Sequence, residues 1–242
     1  MNAIVRSARP KQWLKNVLVF AAPGAAGVLD EPDRLGKALL MFVAFCLAAS
    51  GTYFWNDVLD VEADRAHPKK SKRPIAAGEV SLGTGRAIGT LLPLVGLGIA
   101  ALTGRWQAVA VLAAYMLITL TYSAIWKHIA VLDLVAIASG FVLRAAAGAA
   151  AVDVPITTWF ALVTTFGSLF IVTGKRFAEA RDLGAGAHEV RSTLGEYSQE
   201  YLRFVLGVSC AGALVSYCLW AFETKEQSGS HLPFYELSIV PM

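Results

Sequence analysis

FVAFCLAASGTYFWNDVLDVEADRAHPKKSKRPIAAGEV, residues 42–80, begins as an apolar run and turns abruptly into charge. Four carboxylates (Asp57, Asp60, Glu62, Asp64) fall within eight residues, and five cations (Arg65, Lys69, Lys70, Lys72, Arg73) occupy the next nine. An apolar block ahead of such a boundary reads as a membrane-spanning helix, and the charged stretch as its exit from the bilayer. If the helix continues past Trp55, then Asn56, Asp60 and Asp64 lie at i, i+4, i+8, and Asp57, Asp60 and Asp64 at i, i+3, i+7. Both sets line one face. Ionised carboxylates stacked in this way repel one another, so the stretch needs compensation from divalent cations or from the basic residues that follow.

Composition agrees with the membrane reading. The chain has 242 residues, 56% hydrophobic and only 16% charged, with mean hydropathy +0.55. Its apolar residues come in long blocks, which predict an all-α, polytopic helix bundle. The blocks place seven spans near 14–30, 37–55, 88–104, 107–125, 129–151, 156–174 and 201–222, and the start of an eighth before Met242. No separate soluble domain, internal repeat or low-complexity tract interrupts them, so residues 1–242 read as one membrane domain. The basic N-terminus, MNAIVRSARPKQWLKN, lacks a cleavable apolar core and is expected to be retained. With the N-terminus inside, sixteen Lys and Arg fall on inner segments and four on outer loops. That bias predicts a cytoplasmic N-terminus, with the polar loops 56–87 and 175–200 on the same side. Cys46, Cys210 and Cys218 form no metal-binding or disulfide pattern. GTGRAIG (83–89) follows no strand and reads as a helix entry, not a dinucleotide loop.

The chemistry follows from the charged mouth. Mg²⁺ takes one or two carboxylates and completes its shell with water and substrate phosphates. Asn56, Asp57, Asp60 and Asp64 are the candidate metal ligands. Lys72 and Arg73, just downstream, are candidates for phosphate oxygens. A solvated juxtamembrane loop is the plainer alternative, but a positive-inside bias needs no acids. Residues 121–149 add Tyr122, Lys127, Asp133 and Arg144. Asp133 and Arg144 share a helix face about 16 Å apart, and an ionisable residue deep in a span is a functional candidate. GKRFAEARDLG (174–184) sets Lys175, Glu179 and Asp182 at i, i+4, i+7 beside Arg176. Arg191 and Tyr197 follow in RSTLGEYSQEY as groups that close over a substrate or merely line a connector. Arg9, Lys11 and Lys15 lie with Trp13 near the first span, and Lys15 is the favoured contact to a phosphate. His67 reads as an acid, a base or a turn residue.

NDVLDVEAD resembles NDxxDxxxD, the first aspartate-rich motif of the UbiA superfamily of intramembrane prenyltransferases. RPKQWLKNVLVFAAP (9–23), TYSAIWKHIAVLDLVAIASGFVLRAAAGA (121–149), GKRFAEARDLG and the whole 56–80 stretch resemble its branch that transfers phosphoribosyl to decaprenyl phosphate. The resemblance covers nearly the whole chain. It implies a Mg²⁺-dependent pentosyl transfer from phosphoribosyl pyrophosphate to a polyprenyl phosphate lipid, releasing pyrophosphate at the cytoplasmic face. It also implies, beyond the residues themselves, a role in supplying pentose donors to arabinogalactan of the cell wall. Asp57, Asp60, Asp64 and Lys175 would serve catalysis. Lys15, Lys72, Arg73, Tyr122, Lys127, Arg144, Arg176, Glu179 and Arg191 would bind substrate. The partners are the membrane and these two substrates, with no nucleic acid; a homo-oligomer is compatible.

Two departures from the superfamily stand out. The second aspartate-rich motif is represented here only by Glu179 and Asp182. The superfamily usually has nine spans, so the chain is expected to be either truncated within its eighth or a short member. The rival readings are transfer of a prenyl group to an aromatic acceptor, which needs that second motif, and a membrane transporter. A transporter would carry polar residues or broken helices near the midplane of several spans. A CDP-alcohol phosphotransferase would show DGxxAR, which is absent.

Overall fold

The computed structural model describes residues 2–183 and 195–228, and among these it contains helices and no strands. The α-helices are α1 (Ala3–Ala8), α2 (Ala21–Ala25), α3 (Pro32–Leu59), α4 (Val61–Ala66), α5 (Leu82–Ala101), α6 (Trp106–Ala124), α7 (Leu132–Val152), α8 (Thr158–Leu183) and α9 (Gln199–Ser228). Three 3₁₀ segments, Pro10–Phe20, Lys70–Lys72 and Trp126–His128, join them. The chain divides into two compact units: residues 1–126 with 143–155, and residues 127–142 with 156–242.

Five of the helices described (α3, α5, α6, α7 and α9) are long and apolar enough to cross a membrane. The sequence reading expects seven spans, and the difference lies in two segments. α8 has the length, but its last turns carry the polar GKRFAEARDL. The expected first span, 14–30, is not one helix. It is the 3₁₀ segment Pro10–Phe20 followed by the five-residue α2, and it turns at Gly27 with φ +66°.

In unit 1, the unusual length of that 3₁₀ segment has a packing reason. With three residues per turn, Trp13, Asn16 and Val19 share one face. Trp13 Nε1 donates to Ser50 Oγ at 3.0 Å, Asn16 Nδ2 reaches Cys46 Sγ at 3.3 Å, and the Phe20 ring lies 5.7 Å from that of Phe42. The partners step back along α3 by four residues as the segment advances by three or four. Three 3₁₀ residues and four α-helical residues both rise about 6 Å, so the two run antiparallel in register. Val19 also lies against α7, where a Cβ on Gly148 would meet the Val19 carbonyl oxygen at 1.7 Å, so only glycine fits.

α3 starts with Pro32 in its first turn and Asp33 at the positive end of the helix dipole. Its partner α5 starts at Ser81, whose hydroxyl accepts from Thr84 N at 3.1 Å. GTGRAIG is therefore a capped helix entry, as expected. The two helices pack through small residues, the usual way for helices in lipid to approach closely. A Cβ on Gly51 would lie 2.3 Å from the Pro93 ring. The core around them contains Met41, Phe45, Leu112 and Tyr115. Unit 2 has its own core of Leu134, Ala138, Val172, Ala180, Tyr197 and Leu202.

Candidate active site

The acid ladder forms on the backbone as its spacing predicts. Asp60 N donates to Asn56 O at 2.9 Å and Asp64 N to Asp60 O at 2.8 Å, so α3 passes into α4 with Asp60 as the joint. Asp57 and Asp64, seven residues apart, are both buried. One nitrogen, Arg73 Nη1, donates to Asp57 Oδ1 at 3.2 Å and to Asp64 Oδ2 at 2.7 Å. A second guanidinium, from Arg9, donates to the same Asp57 oxygen and lies 4.9 Å from the centre of the Tyr53 ring. Arg9 holds a left-handed backbone (φ 53°, ψ 58°) between α1 and the 3₁₀ segment, an uncommon conformation for a side-chain-bearing residue. Nearby, Arg6 pairs with Glu79 and ties α1 to the basic loop. His67 is a turn residue, since its Nδ1 accepts from Lys69 N (3.1 Å) and Lys70 N (3.3 Å). Lys72 is exposed.

The donor set fits a hard divalent cation. A positively charged atom already sits between two buried carboxylates, and one or two carboxylates is the share of protein ligands that Mg²⁺ takes. The four expected ligands are not gathered into one cage. Asp57 and Asp64 are brought together through Arg73, while Asp60 ends α3, and no group of three or more His, Cys, Asp or Glu is poised for a metal among the described residues.

Deeper in unit 1, Arg144 is buried. Its Nε donates to Asn16 Oδ1 at 2.8 Å, its Nη2 to the Tyr115 hydroxyl at 2.9 Å, and its guanidinium carbon lies 4.7 Å from the Tyr115 ring centre. The side chain thus ties the 3₁₀ segment, α6 and α7 together. Lys15 is exposed and Tyr122 is half-buried.

Unit 2 holds a second cluster. Arg176 Nε donates to Asp133 Oδ2 at 3.1 Å and its Nη1 to Glu179 Oε2 at 2.7 Å, while Lys175 Nζ lies 3.7 Å from Glu179 Oε1. The Tyr197 hydroxyl donates to Asp133 Oδ1 and accepts from Val131 N at 2.6 Å. Burial, and then the hydrogen bond to Asp133, push the Tyr197 phenol above the usual tyrosine range. Asp133, expected on one face with Arg144, finds its partners here in Arg176 and Tyr197. Lys127 is half-buried. Arg191 lies outside the described residues.

Sequence reasoning left Arg9, Asn16 and Tyr115 out of the site. Asn16 did carry a signal, as the one amide in an otherwise apolar stretch after Lys15. Arg9 stands in the sequence with Lys11 and Lys15 beside the first span, and nothing there points to its partner Asp57.

The model of the UbiA prenyltransferase family matches residues 17–225. The chain belongs to that family. A decaprenyl-phosphate phosphoribosyltransferase of Corynebacterium glutamicum is 40% identical over 99% of this chain and 73% of the relative. One of Mycolicibacterium smegmatis is 44% identical over 92% of this chain and 71% of the relative. Among solved structures, a UbiA homolog from Archaeoglobus fulgidus bound to DMAPP and Mg²⁺ superposes with a TM-score of 0.78 at 16% identity, covering 98% of this chain and 81% of that one. The fold is therefore the UbiA helix bundle, and the protein is a multi-pass membrane transferase.

Proposed function

We propose that this UbiA member transfers a 5-phosphoribosyl group from phosphoribosyl pyrophosphate to a polyprenyl phosphate, with decaprenyl phosphate as the acceptor. The observation that carries the reading is the 40% identity, over 99% of the chain, to a relative named for that activity. The Asp57–Arg73–Asp64 cluster makes it chemically coherent. An acceptor phosphate oxygen bonds to ribose C1 as the bond from C1 to the pyrophosphate oxygen breaks, and pyrophosphate leaves. The nucleophile is already an anion, so no general base is needed. Positive charge develops on the sugar and negative charge on the leaving group. Arg73, Arg9 and Lys72 would take the pyrophosphate oxygens through charge-assisted hydrogen bonds. Asp57 and Asp64, with Asp60 and Asn56 beside them, would hold Mg²⁺, which when bound offsets the leaving group's charge.

Lys15, Tyr122, Lys127, Arg144, Lys175, Arg176, Glu179 and Arg191 are proposed for substrate binding, with Lys175 also stabilising the leaving group. The protein would sit in the cell inner membrane with its N-terminus and the 56–80 loop cytoplasmic, where a soluble sugar pyrophosphate meets the lipid headgroup. Residues 1–242 would act as one catalytic domain.

The test supplies the purified protein with radiolabelled phosphoribosyl pyrophosphate, decaprenyl phosphate and Mg²⁺, with and without chelator. Chelator-sensitive label in the organic phase is the expected result. Product from a prenyl diphosphate and an aromatic acceptor instead would overturn it in favour of prenyl transfer.

A further inference from the structure

We propose that Arg73 and Arg9 are exchangeable counter-ions. In the protein without ligands they occupy the Asp57 and Asp64 carboxylates, and they give those carboxylates up only when a divalent cation and an anionic diphosphate arrive together. The inference rests on the proposed function and concerns how that same site loads.

Two observations carry it. The first is charge balance. Two buried carboxylates face two guanidiniums, so the cluster is neutral. A cation entering alone would leave two buried arginine contacts facing added positive charge, and a diphosphate entering alone would meet two buried carboxylates. Either imbalance is costly where water is largely excluded, and both shrink when cation and diphosphate enter as a pair. The second is the asymmetry of exposure. The Asp57 and Asp64 side chains are each 2% exposed, whereas Arg9 and Arg73 are 27% and 26% exposed. The carboxylates are fixed at the bottom of the cluster and the arginines form its outer layer.

The backbone supports movement of the side chains alone. Arg73 N donates to Lys70 O at 2.9 Å and its carbonyl accepts from Ala77 N at 2.8 Å; Arg9 is held likewise through Arg6 O at 3.2 Å and Gln12 N at 2.8 Å. The guanidiniums can therefore turn from carboxylate to phosphate, two acceptors that the same planar fork recognises, while their anchors stay in place. In the carboxylate-bound position Arg9 rests against the Tyr53 ring.

The experiment measures Mn²⁺ binding to the full chain in detergent, by the electron paramagnetic resonance signal of free Mn²⁺, with no phosphate ligand present. Arg73→Gln is expected to bind Mn²⁺ about tenfold more tightly than the wild type, and Arg9→Gln several-fold, a size usual for coupled sites. Radiolabelled pyrophosphate with Mg²⁺ is expected to be held about tenfold more weakly by Arg73→Gln. If both variants bind Mn²⁺ no better than the wild type, the arginines are fixed structural counter-ions and the proposal falls. Should Arg73→Gln fail to fold, Arg9→Gln carries the same sign test. Asp64→Asn in each background must abolish the gain, and tight binding that survives it would place the cation elsewhere and overturn the exchange. A tenfold gain in the variants, with a wild type that transfers no phosphoribosyl group, would uphold the exchange and overturn only the assigned substrate.

Discussion

Asp57 in unit 1 and Asp133 in unit 2 are both buried and both held by arginine, but their surroundings differ. Asp57 shares one oxygen between Arg9 and Arg73, whose side chains are about a quarter exposed. Asp133 meets Arg176, which is only 4% exposed, and the Tyr197 hydroxyl covers its other oxygen. The first arrangement keeps its cations where a ligand can reach them. The second closes over the Asp133 carboxylate, which therefore holds α7, α8 and the segment before α9 in place. Burying a charge pair is thus not one design, and the exposure of the cation distinguishes a site built to exchange partners from one built to keep them.

The largest effect should come from breaking the first cluster. Asp64→Ala is expected to lower phosphoribosyl transfer by about a thousandfold, comparable to removing a principal electrostatic stabiliser of a transition state, while insertion and melting temperature in detergent change little. Asp133→Ala should do the reverse. Leaving the buried Arg176 with Glu179 as its remaining carboxylate should cost about 3 kcal/mol of stability, read as a lowered melting temperature at every Mg²⁺ concentration. Tyr197→Phe loses two hydrogen bonds and should cost about 1–2 kcal/mol.

Tyr197→Phe should also change the response to alkali. The raised phenol pKa means that the folded protein favours the neutral form. Its contribution is full below the unfolded value of about 10 and declines as pH rises past it. The wild type should therefore lose stability in that range more steeply than the variant in pH-dependent melting. Smallest of all, Lys175→Ala removes an exposed partner of Glu179 and should shift stability by less than about 0.5 kcal/mol. Transfer by that variant should nevertheless fall, because Lys175 is proposed to stabilise the leaving group; unchanged transfer would leave it only this weak ion pair.

What could be read in the sequence was local. The apolar block before Trp55 and the i, i+4, i+8 spacing of Asn56, Asp60 and Asp64 lie within one helix and its continuation, and the structure follows them. Arg73 is close enough in sequence to be read as the ladder's neighbour. Arg9 is 48 residues from Asp57, and Tyr197 is 64 from Asp133, so nothing in their own neighbourhoods announces the partner. The 3₁₀ form of Pro10–Phe20 was equally hidden, because it depends on matching the rise of α3. Its apolar composition suits an ordinary span, although Pro23 and Gly24 within it disfavour a continuous helix.

The Asn16–Arg144 hydrogen bond joins residues 128 positions apart, and Val19 rests on Gly148 in the same layer. The ribosome therefore makes the N-terminal segment well before the helix that completes its surroundings. At ordinary elongation rates the wait is on the order of ten seconds. During that interval Asn16 has only the earlier-made α3, with Cys46, to lie against. Unit 1 can reach its final packing only after α7 has been delivered to the membrane. Its assembly thus ends at a seam between its first segment and its last, and insertion intermediates arrested before Gly148 should leave the N-terminal segment open to protease.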